Sequence, residues 1–360
     1  MSSPDETLPS RFPGTLSHRR WRRLRTALSV LIVLVTSWFV GKQAFLAYAE
    51  LQSRTLFIRY EFLALAVTLN VLGAFALAGP FVTAIRDRER LLHRRHPLPL
   101  STIMQGYLMS QAGKYVPGKA VVMVIRLMVL GRRGAPADMI VLATFFETMV
   151  AMASAGLLAT ILMSLPMGSL DEQGQAQQQW ARAASFFLFL GLIFFVLPPV
   201  LSLGPKVLSR FIPSVKVHAD TPIGWRSIGK SIAISIVAWM IVGTSFWATV
   251  QAVSPATLGW SEIPTLSSVY IFSYVAGFIS MVPGHFGVRE FIMDSILRPL
   301  LGGDRLVAVS ATILSRMVTL TIELVMALIA YACYRASLGR TVDEKATPSL
   351  SMERTTLHDE

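Results

Sequence analysis

Two lysines flank a Val-Pro-Gly tripeptide in the stretch Lys114-Tyr115-Val116-Pro117-Gly118-Lys119, and Arg289 and Glu290 follow a second copy at Val282-Pro283-Gly284. Each tripeptide interrupts a run of apolar residues. A cation held near the centre of a bilayer costs about 3 kcal/mol on insertion scales. Lys114 and Lys119 therefore either face a ligand-bearing aqueous cavity or sit at its mouth and snorkel to water. Two cations at one turn suit an anion. A helix starting after Pro117 would also aim its first N–H groups and the positive end of its dipole at the same point, a good place for a phosphate. Arg289 offers a planar fork for bidentate phosphate contact, and Glu290 its counter-ion or a proton carrier; the alternative is a solvated rim. As neighbours on a helix the two point in different directions. His285 either titrates near neutral pH or is a satisfied hydrogen-bonding residue.

The remaining ionisable groups lie inside apolar runs. Glu147 and Glu323 each occupy the run that follows an interruption, and a buried carboxylate needs a partner or a proton. The economical pairs are Glu147 with Lys119 or Arg126, and Glu323 with Arg289 or Arg316. Arg126 either joins the site or ends its segment at the surface. Asn70 and Gln111 suit interhelical hydrogen bonds, and Asp294 suits the rim. The candidate substrate contacts are Lys114, Tyr115, Pro117, Gly118, Lys119, Arg126, Pro283, Gly284, His285, Arg289 and Glu290. No Ser-His-Asp, metal-ligand or nucleotide-binding spacing is visible, so the expectation is binding or transport without catalysis, metal or cofactor.

Positioning these groups requires a membrane-embedded scaffold. Of 360 residues, 53% are hydrophobic and 15% charged, with the charges clustered between long apolar runs, as in an integral membrane protein. Stretches long enough to cross about 30 Å of hydrocarbon occur at about 26–47, 60–85, 139–165, 183–204, 228–252 and 305–334. Two further segments, about 101–130 and 265–297, contain the Val-Pro-Gly breaks. Unwound backbone is tolerated at membrane depth where it lines a cavity, and breaks at matching places in two halves mark a transporter-like architecture. The net charge of +12 sits beside the spans, which the positive-inside rule explains without nucleic acid. The single Cys333 precludes an intrachain disulfide and reads as a small buried apolar residue. The first apolar run resembles a signal peptide, with Arg19 to Arg25 as a basic flank, but its span length and Lys42 favour a retained helix.

Basic loops set the orientation. Arg19, Arg20, Arg22, Arg23 and Arg25 place the N-terminus in the cytoplasm, and two spans later Arg86, Arg88, Arg90, Arg94 and Arg95 are cytoplasmic again. If 101–130 crossed fully, Arg132 and Arg133 and the loop carrying Lys206, Arg210, Lys216, Arg226 and Lys230 would fall outside. A hairpin that dips in and returns keeps them inside. A second hairpin from the other face leaves Arg335, Arg340 and Lys345 cytoplasmic, with Arg298 and Arg305 as exceptions. The expected fold is an all-α integral membrane protein, an inverted-topology repeat with six full spans and two re-entrant helical hairpins. Its parts are a basic cytoplasmic segment 1–25, a membrane domain 26–335 with halves 26–165 and 183–335, and a flexible cytoplasmic tail 336–360.

The set Gly113-Lys114-Tyr115-Val116-Pro117-Gly118-Lys119 with Arg126 and Glu147, Pro283-Gly284 through Gly287-Val288-Arg289-Glu290, and Arg316 with Glu323 resembles the flippase-like transmembrane domain of the lysylphosphatidylglycerol synthase family. That resemblance implies movement of a lipid between leaflets of a prokaryotic plasma (inner) membrane, as a stand-alone member without the aminoacyl-transfer domain. Two departures stand out: Ala120-Val121 where many relatives carry Gly-Glu, and His285 where many carry a small residue. Three functions compete: a flippase for an anionic phospho- or glycolipid, a proton-coupled transporter of a small anionic solute using Glu147, Glu290 or Glu323, and a non-catalytic partner of a separately encoded lipid or glycan biosynthesis enzyme.

Overall fold

The computed structural model describes residues 58–115, 120–165, 179–180, 182–187, 189–191, 223–280, 282–285 and 287–355, with side chains as far as 337 except those of Ala120 and Pro283. All regular structure among these residues is helical. Helix α1 (Tyr60–Leu77) runs into α2 (Gly79–Leu91) across Ala78, where Pro80 removes an N–H at the first turn of α2. Helix α3 (Leu100–Gln111) tightens into a 3-10 turn at Ala112–Tyr115, and α4 (Ala120–Gly131) follows. Then come α5 (Ala137–Met163), α6 (Trp225–Val253), and α7 (Ile263–Ile279), which extends a 3-10 turn at Trp260–Glu262. A second short turn at Pro283–His285 separates α7 from α8 (Val288–Leu300), and α9 (Arg305–Thr355) ends the series.

Five helical stretches among the described residues are long and apolar enough to cross a membrane: Tyr60–Leu91, Ala137–Met163, Trp225–Val253, Trp260–Ile279 and Arg305–Ser337. Four correspond to the expected spans 60–85, 139–165, 228–252 and 305–334. The fifth is the first arm of the broken segment 265–297, lengthened to 20 residues by the 3-10 turn ahead of it. The expected span 26–47, most of 183–204, and the basic segment 1–25 lie outside the described residues. Leu324, Val325, Leu328 and Ile329 on α9 are exposed, as side chains that face lipid are. Cys333, expected to be buried, is exposed on the same helix, because the apolar run there covers more of the helix surface than its neighbours occupy.

Helix α6 is the centre of the packing and touches α1, α2, α5, α7 and α9. Trp239 donates its indole N–H to the Ala151 carbonyl at 2.9 Å, and Ser245 donates to Ala66 O at 2.8 Å, fastening α6 to α5 and α1. At one end of the bundle Arg59 donates to the Gln251 and Ser254 carbonyls at 3.0 and 2.9 Å, a cation closing the C-terminus of α6. At the other end Arg94 donates to Gly134 O at 3.0 Å and Arg133 to Ser337 Oγ at 2.6 Å. The chain therefore doubles back between α3 and α4, since the turn before α3 and the turn after α4 meet. Buried Arg88 and Asp138 face each other there at 3.6 Å, and Glu89 accepts from Leu98 N at 2.6 Å, fixing the approach to α3.

Candidate functional site

Both interrupted segments fold tightly on themselves. A Cβ on Gly113 would lie 2.8 Å from Val122 N, so only glycine lets the first turn close on α4. Likewise a Cβ on Gly277 would lie 2.8 Å from that of His285 and 3.6 Å from that of Arg289, which brings the second turn and α8 against α7. Gly284 and His285 both adopt positive φ, 61° each. That backbone suits glycine and strains histidine, unless packing holds it. The ring of His285 is buried edge-on to Tyr274 at 5.1 Å, with Phe278 at 6.3 Å. The turns Ala112–Tyr115 and Pro283–His285 touch each other.

Around this junction four cations and three carboxylates of the described residues gather. Arg126, expected either in the site or at the surface, is 1% exposed. Its Nη1 lies 3.0 Å from Glu147 Oε2, its Nε donates to Ser110 Oγ at 2.9 Å, and its Cζ lies 4.3 and 5.1 Å from the ring centres of Phe81 and Tyr107. Glu147 thus takes Arg126, one of the two partners foreseen. Glu323 does not take Arg289 or Arg316: Lys114 donates to its Oε1 at 2.6 Å and the Tyr115 hydroxyl to its Oε2 at 2.5 Å. The correction arises because the first turn reaches across to α9, a proximity 209 residues apart in sequence. Arg316 instead lies 2.6 Å from Glu290 Oε1 and donates from Nη2 to Gly284 O at 2.7 Å. The other oxygen of Glu290 accepts from Gly287 N at 2.6 Å, closing the first turn of α8.

Arg289 is the exception. It is 1% exposed, and its Nε and Nη2 are buried without a hydrogen-bond partner. Its Cζ lies 4.2 Å from the Tyr270 ring centre and 5.1 Å from that of Tyr274. Among the described residues no carboxylate is within ion-pair distance of it; Glu290, its sequence neighbour, acts only at longer range and is already paired with Arg316. Tyr274 lies within electrostatic reach of Lys114, Glu323 and Arg289, and Tyr107 within reach of Arg126, Glu147, Lys114 and Tyr274. One polar layer therefore joins the three paired cations and the unpaired one.

Pro117, Gly118 and Lys119 lie outside the described residues, and Pro283 is placed by its backbone alone, in the second turn. Asp294, expected at the rim, is 9% exposed and pairs with Arg298 one turn along α8, because that face of α8 packs against its neighbours. Asn70 donates to Thr319 Oγ1 at 3.5 Å across helices, as expected; Gln111 makes no such bond among the described residues. The ring beds formed by Phe81, Tyr107, Tyr270 and Tyr274 were missed. Their signal was the four-residue spacing of Tyr270 and Tyr274, which puts two rings on one face of an apolar helix. No group of three or more His, Cys, Asp or Glu among the described residues is placed to hold a metal ion.

The family profile described as "Lysylphosphatidylglycerol synthase TM region" matches residues 24–327, a stretch that takes in every site residue from Lys114 to Glu323. The chain belongs to that family. Beyond the family, no curated protein matches it. As a member of the lysylphosphatidylglycerol synthase transmembrane-region family, it is an integral membrane protein of a lipid-related group, and the polar layer lies within the shared region.

Proposed function

We propose that the protein moves a lipid with an anionic headgroup between membrane leaflets, the headgroup passing between the two turns while the acyl chains stay in the bilayer. Arg289 carries this reading. Its counterpart Arg126 has a carboxylate and a hydroxyl on its guanidinium, whereas Arg289 has two tyrosine rings, a hydrogen-bonding interaction with Tyr270, and buried Nε and Nη2 left without a partner. A cation–π contact contributes about 0.5–2 kcal/mol, less than the several kcal/mol that desolvating an ion costs. A phosphate oxygen pair would supply the missing counter-charge in the bidentate geometry that a guanidinium favours. Lys114, and Lys119 five residues on in the sequence, add charge for the same visitor. No bond is made or broken in this reading, and no cofactor or metal takes part.

In this reading the interrupted segments are re-entrant hairpins of an inverted repeat with six spans. The meeting of Arg94 with Gly134 supports the first hairpin, because both of its ends then lie at one face. Exchange of partners supports the repeat: α7 packs on α5 as α3 packs on α9, α4 on α5 as α8 on α9, and α2 on α5 as α6 on α9. In this reading both termini lie in the cytoplasm of a prokaryotic cell, an orientation the basic loops support, and a separately encoded lipid or glycan biosynthesis enzyme is the source of the lipid.

Proteoliposomes carrying tail-labelled phosphatidylglycerol or phosphatidylcholine test the function. Wild type should accelerate exchange of the anionic lipid, and Arg289→Gln and Lys119→Ala should lower that rate by roughly tenfold or more, the equivalent of one lost charge-assisted contact. Equal exchange by all three proteins would remove these residues from the site. Uptake of a soluble organophosphate without lipid movement would instead select the proton-coupled solute transporter.

A further inference from the structure

We infer a second phosphate-binding site, outside the layer between the turns, where both ends of the first interrupted segment meet the end of α9. Arg94 Nη2 donates to the Gly134 carbonyl, and Arg133, next to that glycine, donates from Nη2 to Ser337 Oγ. Each guanidinium keeps another nitrogen buried and without a hydrogen-bond partner: Nη1 of Arg94 and Nε of Arg133. Tyr334, one turn before Ser337, has a buried hydroxyl in the same condition. Nearby Arg88 faces Asp138 and Arg90 faces Asp87, whereas Arg94 and Arg133 have no carboxylate within ion-pair distance among the described residues.

Two guanidinium forks from separate loops, each with a spare buried N–H, form the donor set of a phosphate. Leaving such donors unmet is costly, so the arrangement favours an acceptor. His93, Arg95, His96 and Arg132 are exposed on the same turns, as is Arg335 on α9, and they raise the local concentration of anions. The loops that follow α2 and α4 meet each other and α9 there. The ligand is a phosphate group, carried by an anionic phospholipid of that leaflet or free in solution. Bound, it would clamp the base of the first interrupted segment to α9.

The inference stands apart from the transport reading, and its test uses the full chain in nanodiscs. In phosphatidylcholine discs doped with phosphatidylglycerol, native mass spectrometry counts the anionic lipids retained by wild type, by Arg94→Gln with Arg133→Gln, and by Arg95→Gln with Arg132→Gln. The first pair should lose the retained lipid, with apparent affinity down on the order of tenfold. The second pair, equal in charge but exposed, should keep it. In pure phosphatidylcholine discs, a melting shift with inorganic phosphate that disappears in Arg94→Gln with Arg133→Gln would assign the site to free phosphate. Should that variant fail to fold, Arg94→Lys with Arg133→Lys keeps charge and stem without the fork and should show the same loss. No difference from wild type in either arm, or an equal loss in the Arg95 and Arg132 pair, overturns the site.

Discussion

Arg126 and Arg289 form a matched pair for one experiment: the same residue type, each 1% exposed, each over tyrosine rings, one with a carboxylate and one without. Replacing Arg126 with Gln leaves Glu147 charged, only 13% exposed and without its guanidinium. Breaking a buried pair in this way costs about 3–5 kcal/mol. At roughly 2 °C per kcal/mol for a chain of this size, the melting temperature should fall by about 6–10 °C. Replacing Arg289 with Gln removes a cation–π contact of about 0.5–2 kcal/mol but relieves a buried charge that no carboxylate balances. Its melting temperature should stay within about 3 °C of wild type or rise. The assay is thermal unfolding of purified protein in phosphatidylcholine nanodiscs, where no anionic lipid can fill the place beside Arg289. Adding phosphatidylglycerol should then stabilise wild type and Arg126→Gln by mass action and Arg289→Gln less, since that variant keeps only the site at Arg94 and Arg133. If Arg289→Gln melts as low as Arg126→Gln in neutral lipid, Arg289 is a structural brace and the reasoning fails.

Three further outcomes follow from the same geometry. Gly277→Ala should push the second turn off α7 and lower stability by about 1–3 kcal/mol, with recovery when His285→Gly is added, because both the clash and the strained φ are then removed; melting temperatures of the single and double variants check this. Glu323→Gln should destabilise by about 3–5 kcal/mol, since Lys114 loses its counter-ion, whereas Glu323→Gln with Lys114→Met should recover most of it; a double-mutant cycle in nanodiscs reads the coupling. With Cys333→Ser as background, Arg95→Cys and Arg132→Cys should react with a membrane-impermeant thiol reagent from the same side of sealed vesicles, and labelling from opposite sides would disprove the re-entrant path of α3 and α4.

The second break was legible because proline and glycine act locally: the turn Pro283–His285 falls on the second Val-Pro-Gly, while the turn Ala112–Tyr115 ends just before the first, which lies outside the described residues. Arg126 with Glu147 was legible for a related reason, being separated by 21 residues within one fold-back unit. Lys114 with Glu323 was not, because the choice among Lys114, Arg289 and Arg316 depends on how the first turn meets α9, and no local pattern encodes that. Tyr270 and Tyr274 were not singled out, because nothing local to α7 says which arginine will lie over their rings. The exposure of Cys333 was misjudged since, in a membrane, apolar character does not distinguish core from lipid face.

Helix α9 holds Arg316 and Glu323 seven residues apart, close to two full turns and so on one stripe. Glu323 grips the first turn through Lys114 and Tyr115, while Arg316 grips the second through Gly284 and Glu290. A single rod thus works like the beam of a balance with one hand at each end. In the proposed reading an incoming anion would compete with Glu323 for Lys114 but leave the grasp of Arg316 on the Gly284 carbonyl intact, loosening one side only. Tilting that beam would then couple occupancy at the first turn to the position of the second.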